Sequence, residues 1–132
     1  MKTLYTMATA ILLSLASLAG LAQSIFDKNF TGTQKEYFAD GKPKYEISVI
    51  KGKKQGLETF WYASGKLYIQ THYLDDKEDG VWQQWYEDGQ MRVQAEFING
   101  KKEGLETAWN KDGSVRYQTL YANGNPVTPA QP

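Results

Sequence analysis

The chain of 132 residues contains no cysteine, a single histidine and only four prolines. The absence of cysteine excludes disulfides, thiolate nucleophiles, cysteine-bound zinc and lipidation of an N-terminal cysteine. Fifteen basic and fifteen acidic side chains leave no net charge, which excludes a strong electrostatic attraction to nucleic acid. Since many aromatic residues are also present, the composition is not that of a disordered tail, and the length predicts one small folded domain.

Long hydrophobic runs are absent except at the N-terminus. Residues 7–21 are apolar or small apart from three hydroxyl side chains, and Lys2 precedes them. Gly20 and Ala22 provide the small residues that signal peptidase needs, so we predict a signal peptide of residues 1–22, export to the periplasm or the medium, and a mature chain that begins at Gln23. The alternatives are an uncleaved anchor, for which about 20 clearly apolar residues are needed, and a buried N-terminal helix.

Eleven of the twelve glycines fall into three phases of one repeat of 24 residues. The first two phases are Gly32, Gly56, Gly80 and Gly104, and Gly41, Gly65, Gly89 and Gly113. The third phase is Gly52, Gly100 and Gly124, with Asp76 in the remaining position. The period divides the repeat domain, residues 32–124, into units of 32–55, 56–79, 80–103 and 104–127. A capping half-repeat is predicted at 23–31, and a proline-rich tail at 125–132 that should not pair as a strand.

Each unit contains two short runs separated by turn signals. Asp-Gly stands between the runs in three units, and Ser64-Gly65 in the other. Asp-Gly between apolar runs indicates a two-residue hairpin with positive φ at both central residues. The links between units, such as residues 99–104, are interpreted as further glycine-containing turns. These features predict an all-β protein, an antiparallel meander of four hairpins in which each unit contacts only its neighbours.

The runs alternate with a period of two residues, so each strand presents two different faces. On one face we expect largely buried apolar residues: Leu57, Val81 and Leu105, Trp61, Trp85 and Trp109, and the second-strand residues Ile69 and Tyr73. On the opposite, exposed face of the two middle units we expect five aromatic residues: Phe60, Tyr62, Tyr68, Trp82 and Tyr86.

These five aromatic residues are the candidate site. An aromatic patch on a polar face indicates a contact surface for a partner protein, a peptide or a glycan. The alternative is that the curl of the sheet buries the rings against each other or against the N-terminal segment. For Trp61, Trp85 and Trp109, stacking in the core is favoured over a platform for a ligand.

No group of residues has the pattern of a catalytic site, so we predict no catalytic residues, no enzyme activity and no cofactor. His72 is the single imidazole, and no Gly-x-Ser-x-Gly sequence accompanies it. Catalysis by a nucleophile needs a base and an orienting group close to it. A surface histidine on a strand is therefore favoured over a catalytic one, and one imidazole is not a metal site.

Two charged segments have alternative interpretations. The acidic link at residues 75–80 is interpreted as a solvated turn rather than a calcium loop, because Lys77 falls among the ligand positions. The basic pairs Lys53-Lys54 and Lys101-Lys102 are fewer than the four to eight basic residues that lipid recognition needs, so a solvated edge is favoured over membrane contact. We predict no metal site.

The sequence Gly-x-x-x-x-Trp-Tyr-x-x-Gly, followed by a strand and by Asn-Gly-Lys-x-x-Gly, resembles the bacterial MORN repeat variant. The clearest copies are residues 56–66 and 80–89, with links at 51–56 and 99–104. The resemblance covers about residues 32–125 and implies an elongated, curved single sheet of hairpins. Proteins of this kind include antitoxins of the YwqK type.

Two hypotheses for the function follow. The first is an exported, non-enzymatic binding or scaffold module whose partner is a protein, a peptide or a glycan. The alternative is an antitoxin or immunity protein that neutralises a toxin outside the cytoplasm. The second requires one tight, dedicated protein partner, and a toxin-like neighbouring reading frame would favour it.

Overall fold

The computed structural model describes residues 27–127, which form a single open, curved sheet of nine antiparallel strands in chain order. The strands are β1 (Gly32–Tyr37), β2 (Pro43–Ile50), β3 (Lys53–Trp61), β4 (Leu67–Leu74), β5 (Lys77–Trp85), β6 (Met91–Ile98), β7 (Lys101–Trp109), β8 (Val115–Ala122) and β9 (Asn125–Pro126). The all-β meander is confirmed. The signal peptide and most of the capping half-repeat lie outside the described residues.

Four hairpins build the sheet, and we number them from one to four: β1–β2, β3–β4, β5–β6 and β7–β8. Positive φ is found at the predicted glycines Gly41, Gly65, Gly89 and Gly113, but not at the aspartates before them. In the first hairpin Gly41 donates to the Phe38 carbonyl and Phe38 donates to the Lys42 carbonyl. This is a three-residue loop that ends on a left-handed glycine, so the expected two-residue turn is wrong at these positions.

The two-residue turns with positive φ at both positions lie in the links between hairpins. Asn99 and Gly100 have φ of 52° and 80°, and Asp75 and Asp76 have φ of 50° and 70°. Asp76 thus adopts the conformation of the glycine that it replaces. After the second, third and fourth hairpins, the second residue of the link also donates to a carbonyl at the start of the hairpin that it follows, as Gly100 does to Glu78 at 2.8 Å.

Glycines of the first phase lie inside strands rather than in links. Gly56, Gly80 and Gly104 have φ of 78°, 118° and 75° within β3, β5 and β7. Each glycine lies at a β-bulge. There, a longer stretch of the glycine's own strand pairs with a shorter stretch of the preceding strand. A left-handed residue at a β-bulge favours glycine, and bulges bend and twist the sheet.

The two faces of the sheet differ from the expected ones. Phe60 pairs with Ile69, and Leu57 pairs with His72. The sequence predicts that Leu57 and Trp61 share a face with Ile69. The register instead places Leu57 on the face opposite Ile69. Leu57, Val81 and Leu105 are exposed rather than buried. Choosing the more apolar face of each strand separately led to this error, because cross-strand pairing decides which residues share a face.

We call the face that carries the buried cluster Tyr45, Ile47 and Val49 the core face. Phe30, Phe60 and Tyr73 pack against that cluster. The opposite face is called the ladder face, because cross-strand pairs there form a row of polar side chains: Glu46, Thr59, Gln70, Gln83, Gln94, Thr107 and Gln118. Within the row Gln83 donates to Gln94 at 3.1 Å.

The C-terminal edge departs from the expectation for the tail. Asn125 pairs with Ala122 and Pro126 with Tyr121, so β9 adds a two-residue strand, and Val127 donates to the Leu120 carbonyl. Pro126 lies on the outermost strand, where a residue without an N–H is tolerated. Among residues 27–127 there is no helix of the length and apolar character that a membrane-spanning helix requires.

Candidate functional site

In the second hairpin the core face carries a buried ion pair. Lys54 Nζ lies 2.6 Å from Glu58 Oε1, and the Tyr45 hydroxyl donates to the same oxygen at 3.0 Å. Glu58 is only 4% exposed. The ammonium group of Lys54 also lies 4.6 Å from the centre of the Tyr73 ring. The charge of the Glu58 carboxylate is therefore compensated within the protein by the Lys54 ammonium group, and two tyrosines complete the surroundings of this ion pair.

In the fourth hairpin the lysine, the glutamate and the tyrosine below the lysine recur 48 positions later in the chain, whereas the tyrosine that donates to the glutamate comes from the following strand and not, as Tyr45 does, from the preceding one. Lys102 pairs with Glu106, which is 6% exposed. The Tyr117 hydroxyl donates to Glu106 at 3.3 Å, and Lys102 Nζ lies 4.9 Å from the centre of the Tyr121 ring. The same kinds of group thus recur in the two hairpins that flank the third.

The third hairpin, between these two, has different residues in the same positions. Glu78 stands where the lysines are, Trp82 where the glutamates are, and Phe97 where the tyrosines are. All three are half-buried and lie on the core face. Within residues 27–127, Glu78 has no ion pair and its carboxylate has no hydrogen bond. The core face of the third hairpin therefore holds a carboxylate that no described lysine or arginine contacts directly.

Electrostatics reflect this imbalance. Burial raises the pKa of the Glu78 carboxyl above its usual value, the Glu58 carboxylate adds to the rise, and Lys54 and Lys102 oppose it. Burial, followed by the Glu58 carboxylate, likewise raises the pKa of the Tyr45 and Tyr73 hydroxyls. Both tyrosines therefore remain neutral hydrogen-bond donors, and the ionised form of Glu78 is disfavoured.

The five predicted site residues do not share one face. Phe60 lies on the core face with its ring centre 4.7 Å from that of Tyr45, so it belongs to the core. Trp82 also lies on the core face, opposite Thr71 and Ala95 in the two adjacent strands. The prediction that these two residues lie opposite the core is wrong, because the register pairs Phe60 with Ile69.

The three predicted tyrosines lie near the ends of the hairpins. The Tyr62 and Tyr68 ring centres are 4.7 Å apart. The Tyr62 hydroxyl donates to the Trp85 carbonyl at 2.8 Å, and the Tyr86 hydroxyl donates to the Trp109 carbonyl at 2.9 Å. Each of these two bonds connects one hairpin to the next, so these hydroxyls stabilise the array. Their role in binding a partner stays a prediction.

The expected contrast between the tryptophans is absent. Trp82 and Trp85 are both half-buried, as are Trp61 and Trp109. Trp82 is partly exposed as predicted, but the prediction that Trp85 is largely buried is wrong. A sheet of one layer leaves large rings partly exposed on both faces.

Comparison with known proteins agrees with this geometry. The family model of the MORN repeat variant matches residues 30–51, 54–75 and 78–99, which is half of the chain. The chain belongs to the MORN repeat variant family. Each matched segment covers one of the first three hairpins, and the fourth hairpin continues the 24-residue spacing beyond the matched segments. No curated protein and no solved structure was found to match.

The other candidate residues have structural contacts within the MORN array. His72 is exposed, and its Nδ1 lies 3.2 Å from the Val81 carbonyl. In the acidic link, Asp75 accepts from the Gln55 amide and Asp76 from the Lys54 backbone N–H, at 2.7 and 2.8 Å. The link is thus a turn whose two aspartates are hydrogen-bonded to β3. Residues 27–127 contain no cluster of three metal-ligating side chains.

The two lysines of each basic pair lie in different environments. Lys53 and Lys101 are exposed, whereas Lys54 and Lys102 turn to the core face and pair with buried glutamates. The interpretation of both pairs as a solvated edge is therefore wrong for half of their residues. Lys54 and Lys102 each lie two residues before a bulge glycine and point to the core face, because the strand alternation continues through the bulge.

Sequence reasoning missed Glu58, Glu78 and Glu106. A signal for them was present, since the second and fourth hairpins share Lys, Glu and Tyr at equivalent positions and the third hairpin replaces all three. The signal was overlooked because the charged residues were assigned to a solvated face. A β-bulge can bring residues i and i+4 of one strand together, as with Lys54 and Glu58.

Proposed function

We propose that this protein is a non-enzymatic binding module that holds a partner protein against the core face of its third hairpin. MORN repeat variants form a repeat family without a catalytic site, and repeat arrays in general present extended binding surfaces. The surface is centred on Trp82, Glu78 and Phe97. The sequence-based hypothesis of an aromatic contact surface is kept, but its position moves to the core face.

One observation carries the proposal. The described residues form one layer, so nothing within residues 27–127 covers the half-buried rings of Trp82 and Phe97 on the core face. Half-buried aromatic rings next to a charged group resemble the centre of protein interfaces, where tryptophan contributes much of the affinity.

Quantitative capture of partners from the compartment that contains the mature protein tests the proposal. Trp82→Ala should reduce the captured partner about tenfold or more, because truncation of a central tryptophan costs about 2 kcal/mol or more. Gln83→Ala is the matched control, since it changes the adjacent residue on the ladder face. Equal capture by both variants would contradict the proposal. A captured toxin encoded beside this protein would identify the partner and favour the antitoxin alternative.

We also propose that the protein is exported, with residues 1–22 as its signal peptide. The support is the apolar segment that follows Lys2 and the small residues Gly20 and Ala22. The intact mass of the protein recovered outside the cytoplasm should correspond to a chain that starts at Gln23. A recovered mass that includes residues 1–22 would refute cleavage.

A further inference from the structure

We infer that the third hairpin binds a cationic side chain, the ammonium group of a lysine or the guanidinium group of an arginine, between Glu78, Trp82 and Phe97. This inference rests on the proposed function, because it names the group of the partner protein that the core face recognises. It follows from a comparison of three equivalent positions in three hairpins.

The second and fourth hairpins supply their own cations. Lys54 and Lys102 each lie against a buried glutamate and over a tyrosine ring, at 4.6 and 4.9 Å from the ring centres. These two lysines are engaged with Glu58 and Glu106. Neither ammonium group is within ion-pair distance of Glu78.

The third hairpin keeps the aromatic positions and omits the cation. Between β3 and β8 the core face carries three carboxylates and two ammonium groups, so one negative charge at Glu78 is unbalanced. Within the described part of the chain, no cation lies over the ring of Phe97 or Trp82. The structure therefore lacks one positive charge at the place where the neighbouring hairpins have it.

The local geometry favours a ligand of modest size. Glu78 and Trp82 occupy positions i and i+4 of β5, the spacing at which Lys54 and Glu58 come into contact in β3. Gly80 lies between them along the strand and has no side chain, and a Cβ atom built at Gly80 would meet the side chain of His72, on the ladder face, at 3.2 Å. Phe97 pairs with Gly80 on the adjacent strand, so its ring borders the same space.

The chemistry of the three groups selects an organic cation. Tryptophan and phenylalanine rings attract cations through their faces, and tryptophan does so most strongly. A half-buried carboxylate adds a charge-assisted hydrogen bond, and its desolvation cost falls when a counterion arrives. The alkyl stem of lysine or arginine packs on aromatic rings. A metal ion, in contrast, would have Glu78 as its single carboxylate ligand among the three groups.

Titration of the mature protein with Nα-acetyl-lysine methylamide and Nα-acetyl-arginine methylamide tests the inference. The indole N–H signal of Trp82, identified by its loss in Trp82→Phe, should shift and saturate at millimolar concentrations. The uncharged Nα,Nε-diacetyl-lysine methylamide should cause no saturable shift. Glu78→Gln should weaken binding about tenfold, and added salt should weaken it further.

Two variants serve as controls. Glu96→Gln removes an exposed carboxylate on the ladder face, next to the site in sequence, and should leave the affinity unchanged. The double variant Glu78→Lys/Trp82→Glu copies the residues of the second and fourth hairpins, so it should fold and lose binding of both probes. Equal shifts by the charged and uncharged probes, or unchanged affinity in Glu78→Gln, would overturn the inference.

The experiment separates this inference from the proposed function. Saturable binding of both charged probes with no loss of partner capture in Trp82→Ala would support the cation site and contradict the proposed function. Loss of partner capture in Trp82→Ala without any binding of the probes would support the function and refute the cation site.

Discussion

Gly89 shows how a single residue sets the shape of a hairpin. Its φ is 93°, and a Cβ atom added there would meet nothing within 4 Å. A substitution at this position therefore changes the backbone energy without a steric clash against other residues. This separates the conformational preference of glycine from its small size.

Gly89→Val should lower the free energy of unfolding by about 1–3 kcal/mol, because β-branched residues resist positive φ. Gln90→Val, at the next position, should change it much less. Gly89→Asn should lie between them, since asparagine enters this conformation more easily. Denaturant titration gives the three values, and similar losses for both valine variants would be inconsistent with a left-handed turn residue.

Lys54 and Glu58 form a pair whose partners depend on each other. Removing one partner of a buried ion pair leaves the other charge uncompensated. Lys54→Met should therefore cost about 3 kcal/mol of stability, because Glu58 is 4% exposed. Lys53→Met, its exposed neighbour, should cost less than about 0.5 kcal/mol. Chemical denaturation of both variants measures the difference, and equal stabilities would show that the pair contributes nothing.

Glu78 should reduce stability at neutral pH. Burial and Glu58 raise the pKa of its carboxyl in the folded protein, so the ionised form is less favourable there than in the unfolded chain. The cost is fully present above the folded-state pKa and disappears below the unfolded value, near pH 4.5. Glu78→Gln should accordingly raise the Tm at pH 7 and match the parent below about pH 4. A lower Tm of Glu78→Gln at pH 7 would contradict the assigned charge imbalance.

Tyrosine hydroxyls connect one element of the array to the next. Tyr62 and Tyr86 donate to backbone carbonyls of the following hairpins at 2.8 and 2.9 Å. Tyr62→Phe and Tyr86→Phe should each cost about 1 kcal/mol, the typical net value of one hydrogen bond. Tyr68→Phe is the control, because its hydroxyl has no hydrogen bond within the described residues. Thermal melting compares them, and equal losses in all three would contradict this role.

Much of the element-level structure could be predicted from glycine alone. The spacing of Gly41, Gly65, Gly89 and Gly113 placed all four hairpin loops correctly, because positive φ leaves few alternatives to glycine. The strand faces could not be predicted in the same way. The hydrophobicity of Leu57 predicts a core residue, but Leu57 pairs with His72 on the opposite face. That pairing depends on the bulge at Gly56 and on the loop lengths, which cannot be predicted from hydrophobicity.

The candidate site was only partly predictable. The sequence predicts Trp82 as a binding residue but places it on the wrong face, and it predicts that Glu78 lies in a solvated link. Both errors have one cause, since the mid-strand position of Gly80 extends β5 back to Lys77 and turns Glu78 to the core face. The exchange of Lys for Glu is a difference between repeats, so it is visible only in the alignment of Lys54, Glu78 and Lys102 and not in any one strand.

At the scale of the whole molecule, stability should depend on complete periods. Deleting residues 77–100 removes one 24-residue unit and connects Asp76 to Lys101, which occupies the same repeat position as Lys77. The shortened protein should fold as three hairpins and lose the cation site. Deleting residues 77–88 removes half a period and should leave a strand without its partner. Circular dichroism and melting distinguish the two, and folding of only the second deletion would refute the repeat architecture.

The central claim is that the core face of the third hairpin, and not the ladder face, contacts a partner. Site-specific photocrosslinking at adjacent residues tests it most directly, because residues 82 and 83 lie on opposite faces of the same strand. A photoreactive amino acid at position 82 should form a covalent adduct with the partner in intact cells, and the same amino acid at position 83 should not. An adduct from position 83 alone, or equal adducts from both, would contradict the account.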